Sequence, residues 1–406
     1  FPSLAASGCT KIVGVDDAYM FSETCAALHA IGLSTAEADQ VFGVLAALMH
    51  LGRLEFLPDE ASGDGVSLGG EDNGSVLEAV TALLRLDMAQ VVAALTSTHS
   101  GGAANFVRAL REKDALAARD ALSKHVYTRL FRWLVRRCQQ SVAPTGDAEY
   151  HIGILDIYGF EVFECNGFEQ LCINFANEKL QQHFVQEVFH AERALYRAEA
   201  IPFPEDLVFP DNAPLCSLIE GGAAAPARPD SDTDSAAPFE IAKPRLGAKP
   251  RMSLFELLDE ETMLPHGTDA ALLDKIYNVH ESPSDCAVAD APLLYAPKLG
   301  MKLRHKGNAH RGGAFVLSHF AGDVTYSVTR FIERNNESLS ADLTRLLHGS
   351  NLPLMRDLYP GAADDEAAAN DGTPHGRRRR ATTVSSRFCS ELNQLLRVLR
   401  ASDTHF

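Results

Sequence analysis

Asp156 and Gly159 stand three positions apart, directly after the apolar run His151-Ile-Gly-Ile-Leu155, and Glu161 follows two positions later. A carboxylate at the C-terminal edge of a strand can hold a water on Mg²⁺. A glycine just beyond it lets the backbone come close enough for its N–H to reach a terminal phosphate oxygen, because no Cβ stands in the way. The pattern therefore has the form of a phosphate-sensing switch. Alone it carries little weight, since a strand followed by a turn produces the same Asp-x-x-Gly.

Two elements must position these residues. Residues 151–155 read as a short buried strand. From Gly167 to Arg197 the apolar positions Phe168, Leu171, Phe175, Phe184 and Val188 read as a helix. At 1.5 Å per residue that helix would run roughly 45 Å. A long rigid helix directly after a phosphate-contacting loop converts a small shift at one end into a larger one at the other.

Elsewhere, Ser34 with Glu37 forms a capping box before Val41, Phe42, Leu45, Leu48 and Met49, and Gly52 is a stop. Ser62 to Gly74 reads as a Gly-rich surface loop. A helix is predicted from about Asp114 to Gln139, with Tyr127, Leu130, Phe131, Leu134 and Cys138 as its apolar stripe. Residues 221–250, rich in Ala, Pro, Asp and Ser, read as a disordered insertion. Phe315 to Phe320, Gly322 and the alternating Val324, Tyr326 and Val328 predict a β-hairpin. A helix carrying Leu339, Leu343, Leu346 and Leu347 follows. Residues 360–383 form a second loop ending in Arg377-Arg-Arg-Arg380, before an amphipathic helix with Phe388, Leu392, Leu395, Leu396 and Leu399.

The chain has 406 residues, enough for two or three packed subdomains. No apolar stretch approaches the roughly 20 residues that span a bilayer, so no transmembrane segment is expected. The net charge of −17 argues against nucleic-acid binding by the chain as a whole. Eight cysteines without a Cys-x-x-Cys pair argue against a disulfide framework or zinc site and fit a reducing cytosol. Cys165 and Cys172 read as packing residues. No Gly-x-x-x-x-Gly-Lys-Ser/Thr occurs, and the glycines at 63–70 and 101–102 lack the required lysine. A GTPase-like switch protein should also carry Asn-Lys-x-Asp, which is absent.

Asp156-Ile-Tyr-Gly-Phe-Glu161, followed by Asn166-Gly-Phe-Glu-Gln-Leu-Cys-Ile-Asn-Phe-Ala-Asn-Glu-Lys-Leu-Gln-Gln182, closely resembles the switch II loop and relay helix of myosins. The resemblance extends both ways. It takes in Ser7-Gly-Cys9, Asp16-Asp-Ala18 with Phe21 and Thr24, Leu45 to Gly52, and Ala118-Arg-Asp-Ala-Leu-Ser-Lys124 with Tyr127, Leu130-Phe131 and Trp133. It continues through Leu257-Leu-Asp-Glu-Glu261, Pro265-His-Gly-Thr-Asp269, His319-Phe-Ala-Gly322 and Phe331-Ile-Glu-Arg-Asn335 to Val384-Ser-Ser-Arg-Phe388 and Thr404-His-Phe406.

It implies a mostly helical α/β fold, part of the myosin-type P-loop NTPase motor. The segments would be an upper cleft subdomain (1–149), the switch II strand and relay helix (150–200), and a lower cleft actin-binding subdomain (201–359). Loop 2 (360–383) and a closing helix (384–406) would follow. By the same resemblance Asp156 lies in the second shell of Mg²⁺, through water. Gly159 reports the γ-phosphate of ATP, and Glu161 pairs with an upstream arginine in catalysis. Actin filaments would meet Met263, Leu264 and Pro265, Arg377, Arg378, Arg379 and Arg380, and the face of Phe388, Leu392, Leu395, Leu396 and Leu399. The residue-level alternatives stay open: the tip at 263–265 as a turn packed on its own helices, and the arginines as a solvated loop or a kinase-recognition run before Thr382 and Thr383. Light chains and cargo would bind outside this chain, and the location would be cytoplasmic and cytoskeletal. The position that myosins keep acidic or phosphorylatable falls on Ala104. Lacking the phosphate loop and switch I, the chain reads as an internal piece of a motor that does not hydrolyse ATP by itself. The alternative is a truncated, non-hydrolysing actin-binding or scaffold relative.

Overall fold

Apolar residues at helical spacing, started by hydroxyl and carboxylate caps, build most of this protein. The computed structural model describes residues 1–59, 65–70, 72–100, 106–143, 146, 150–202, 211–221, 251–264, 266–280, 287–288, 291–297, 313–336, 339–360 and 383–405. The described residues form two compact units, one from Phe1–Gly153 with Ser338–Arg379, the other from Ile154–Glu337 with Arg380–Phe406.

The first unit begins with α1 (Pro2–Ala5), α2 (Asp17–Ala30) and α3 (Thr35–Leu51). The predicted capping box is present at α3: Ser34 Oγ accepts from the Glu37 N–H at 3.3 Å, and Glu37 Oε2 accepts from the Ser34 N–H at 2.8 Å. β1 (Phe56–Asp59) pairs antiparallel with β2 (Gly65–Leu68), in the register Phe56 opposite Leu68. This corrects the Ser62–Gly74 loop, which carries a strand and the start of α4 (Asn73–Leu84). The cause is buried Asn73. Its Nδ2 donates to the Glu55 carbonyl at 2.6 Å and the Gly69 carbonyl at 2.5 Å, pinning the hairpin's ends. Then come α5 (Met88–Thr96), the hairpin β3 (Ser97–Ser100) and β4 (Phe106–Ala109), and α6 (Glu112–Val142).

The second unit opens with α7 (Phe168–Ala198), 31 residues in one helix as its spacing predicts. It continues with α8 (Ala213–Glu220), α9 (Leu254–Met263) and α10 (Asp269–His280). The two-residue strands β5 (Ala287–Val288) and β6 (Ala291–Pro292) pair with each other. β7 (Leu294–Tyr295), β8 (Ala314–His319) and β9 (Gly322–Ser327) form an antiparallel sheet, and α11 (Phe331–Asn335) follows. The predicted hairpin is β8–β9, with Phe315 opposite Tyr326.

The chain then returns to the first unit as α12 (Ala341–His348) and α13 (Pro353–Leu358), and ends in the second as α14 (Val384–Ala401). The expected grouping of 201–359 is therefore corrected. Leu343, Leu346, Leu347, Leu354 and Met355 lie in one core with Val44, Leu84, Leu95 and Leu122. The second core gathers Phe168, Phe175, Phe255, Ile276, Phe315, Tyr326 and Phe331. Cys165 is exposed and Cys172 buried, its thiol pushed up chiefly by burial, with Cys389 and Glu169 adding to the rise. The insertion at 222–250 and Arg377–Arg380 lie outside the described residues.

One polar contact in the first unit gives a stability prediction. The His99 N–H donates to Asp342 Oδ2 at 2.9 Å, His99 Nδ1 lies 2.9 Å from Oδ1, and Arg345 Nη1 donates to Oδ1 at 3.0 Å. Burial pushes the Asp342 carboxyl up, but the His99 N–H, the His99 ring and Arg345 together hold it below its ordinary value. Asp342→Asn is expected to cost about 1–2 kcal/mol at neutral pH. A depressed carboxyl stabilises above its unfolded pKa of roughly 3.9 and loses that contribution as pH falls through the folded value. Thermal melts should therefore show the wild-type advantage at pH 7 shrinking below about pH 4.

Candidate functional site

Residues 151–155 are not a strand, contrary to the sequence reading, and the stretch 150–163 is irregular throughout. Ile152 is 97% and Ile154 94% exposed. Apolar alternation selects a face, but a strand exists only where another strand takes its N–H and C=O groups. Among the described residues none pairs with this stretch.

What fixes the second half of the loop is a set of three asparagines. Asn177 Nδ2 donates to the Tyr158 carbonyl at 3.1 Å. Asn174 takes both backbone groups of Glu161: Oδ1 accepts from its N–H at 2.8 Å and Nδ2 donates to its carbonyl at 2.8 Å. Asn166 does the same for Phe163, at 2.7 and 3.0 Å, and also donates to the Thr325 carbonyl at 3.1 Å. Glu161 is half-buried, whereas Asp156 and Gly159 are exposed. A Cβ built on Gly159 would meet nothing within 4 Å, so packing inside this chain does not require glycine there.

Behind the loop lies a buried polar cluster. Asn174 Nδ2 also donates to the Tyr326 hydroxyl at 2.9 Å, and that hydroxyl lies 2.9 Å from His319 Nε2. His319 Nδ1 is 2.9 Å from Glu178 Oε1, with both side chains fully buried. The Phe160 ring sits edge-on to His319 at 5.1 Å. Sequence reasoning missed these roles. The available signal was Asn174 and Glu178, one turn apart on the apolar face of α7, where asparagine is a poor helix former and a carboxylate is costly unless partnered.

The other expected site residues divide. Met263 and Leu264 are exposed, at 45% and 47%, at the end of α9, and Pro265 lies outside the described residues. The face of α14 is corrected. Leu392 and Leu396 are buried in the second core, Phe388 and Leu399 pack against it, and Leu395 is half-buried. The amphipathic face is satisfied by α7, α9 and α11 of its own unit.

Mg²⁺ in a nucleotide site takes one or two carboxylates, waters and substrate phosphates. The described residues hold no cluster of three or more ligating side chains.

A family described as Myosin head (motor domain) matches residues 1–225 and 245–406. The chain belongs to this family of motor domains. It is 34% identical to Myosin-1 of Emericella nidulans over 97% of its own length and 27% of the relative's. It is 33% identical to Myosin-1 of Yarrowia lipolytica over 99% of its length and 28% of the relative's. It is 30% identical to Myosin-14 of Arabidopsis thaliana over 100% of its length and 23% of the relative's. The chain thus spans about a quarter of the length of the curated relatives it matches. Among the described residues no single helix is long and apolar enough to cross a membrane.

Proposed function

We propose that this chain supplies the phosphate-sensing loop, the relay helix and part of the filament-binding surface of an ATP-driven, actin-based motor in the cytoplasm. One observation carries the reading. Asp156 and Gly159 are exposed, while the backbone on either side of Gly159 is fastened to α7, Tyr158 through Asn177 and Glu161 through Asn174. A phosphate contact at Gly159 would then pull on a helix of 31 residues. Asp156 would hold Mg²⁺ through a water, Gly159 would offer its N–H to a terminal phosphate, and Glu161 would meet an arginine from outside this chain. Mg²⁺ with ATP supplies charge neutralisation on the phosphates. Actin meets Met263 and Leu264 at the end of α9 together with Pro265, the next residue in sequence, and the Arg377–Arg380 run steers the encounter. Light chains and cargo belong to other parts of the protein.

Gly159→Ala tests this in the complete motor. The added methyl has open space around it, so folding should be unchanged. ATP binding should persist while steady-state hydrolysis falls on the order of 100-fold, the scale of losing one transition-state donor. Unchanged hydrolysis would remove this loop from the phosphate site.

A further inference from the structure

We propose that Glu178, His319, Tyr326 and Asn174 form one directed series of hydrogen bonds that positions the backbone of Glu161, with His319 held as the neutral Nδ1–H tautomer. The geometry is independent of function. Its meaning for phosphate sensing rests on the function proposed above.

Backbone groups fix the direction at both ends. At one end Asn174 Oδ1 faces the Glu161 N–H and Nδ2 faces the Glu161 carbonyl, so the amide cannot be turned over. Nδ2 is therefore the group that reaches the Tyr326 oxygen, and it donates. At the other end Asn212 Nδ2 donates to the Glu178 carbonyl at 2.8 Å, which fixes that amide too. The same nitrogen donates to Glu178 Oε2 at 2.5 Å, and the Phe320 N–H donates to Oε1 at 3.0 Å. Glu178 is thus an acceptor on both oxygens.

Two atoms remain between these ends, the Tyr326 hydrogen and the His319 proton. Tyr326 already accepts from Asn174, so its single hydrogen is free to point at His319 Nε2, which must then carry a lone pair. The proton of His319 sits on Nδ1 and points at Glu178 Oε1. The other states fail. An Nε2–H tautomer sets a bare Nδ1 against a carboxylate oxygen. A doubly protonated ring makes Tyr326 accept twice and leaves its hydrogen without a partner in a buried site. Burial holds the Tyr326 phenol above its ordinary value, with the Asn174 bond pulling the other way and Glu178 adding to the rise, so the donor stays protonated. The series links β8 and β9 to α7 and ends on the residue after Phe160, whose ring rests on His319 itself.

The test uses the whole chain and no nucleotide. With ¹⁵N-labelled histidine, the His319 ring signals are identified by their loss in His319→Gln. They should show the Nδ1–H tautomer at neutral pH. An Nε2–H tautomer or a doubly protonated ring would overturn the proposal. Tyr326→Phe cuts the series at its middle. Exchange of the Glu161 amide should rise about tenfold, while the Phe163 amide, held by Asn166 outside the series, should keep its rate. Equal acceleration at both would make Tyr326 a general packing residue, and no change at Glu161 would break the link. Should Tyr326→Phe fail to fold, the tautomer in the native chain decides. A failure here leaves the Gly159→Ala result standing, and the reverse holds as well.

Discussion

Replacing Phe175 with alanine is expected to remove about 3–5 kcal/mol from the second unit, the usual cost of emptying a fully buried aromatic site. Phe175 is 0% exposed and meets Phe255 edge-to-face at 5.6 Å, and the Lys179 ammonium lies 5.6 Å from its ring centre. It stands beside Asn174 and within one turn of Glu178, so the cavity would also undercut the polar series that orders the loop. Against a domain stability of roughly 5–15 kcal/mol the loss is large. It should stay local, because Val44, Leu84, Leu95 and Leu122 belong to a separate core. Hydrogen exchange under mild denaturant should show peptides over 254–263 and 314–327 losing protection while those over 41–51 and 76–84 keep theirs. Loss of protection in both sets together would mean that the two cores unfold as one.

Much of this architecture is legible in local chemistry. Ser34 and Glu37 announce the start of α3, and the period of Phe168, Leu171 and Phe175 announces α7. Alternation at 324–328 with the turn at Gly322 announces the β8–β9 hairpin. What fails is whatever depends on a partner distant in sequence. Residues 151–155 have the composition of a strand, but composition carries no record of which strand lies alongside. Leu343, Leu346 and Leu347 declare a helix with one apolar face, and nothing local says that the face belongs with Val44 rather than with the preceding hairpin.

The candidate site divides along the same line. Asp156, Gly159 and Glu161 can be proposed from the sequence because they stand together in one short run. Asn166, Asn174 and Asn177 cannot, because their task is to bond particular backbone groups that only folding brings near. The α14 assignment errs for a related reason. Leu392 and Leu396 form an amphipathic face, and such a face does not distinguish the protein's own core from a foreign surface. Met263 and Leu264 are different, since they stay exposed after every described element has packed.

That exposed tip should govern how long a filament contact lasts. Leu264→Asp is expected to weaken co-sedimentation with actin by about tenfold or more, through faster dissociation, because it places a charge in a surface that must shed water on binding. The turn beside it offers an independent probe. Glu261 Oε1 accepts from the Thr268 N–H at 3.1 Å, and the Gly267 N–H donates to the Leu264 carbonyl at 3.1 Å. A Cβ on Gly267 would overlap the Glu261 carbonyl, so Gly267→Ala must displace the turn that presents Leu264. It should therefore weaken binding without altering any residue of the contact. Changing Arg377, Arg378, Arg379 and Arg380 to alanine should act on the other rate. Exposed charges are screened beyond about 8 Å at physiological ionic strength, so their loss should slow association most at low salt and little at high salt. Stopped-flow mixing with filaments at two salt concentrations separates the two effects. A four-alanine variant that associates as fast as wild type at low salt would return the arginine run to a solvated loop. A Leu264→Asp variant with unchanged dissociation would remove the α9 tip from the filament surface.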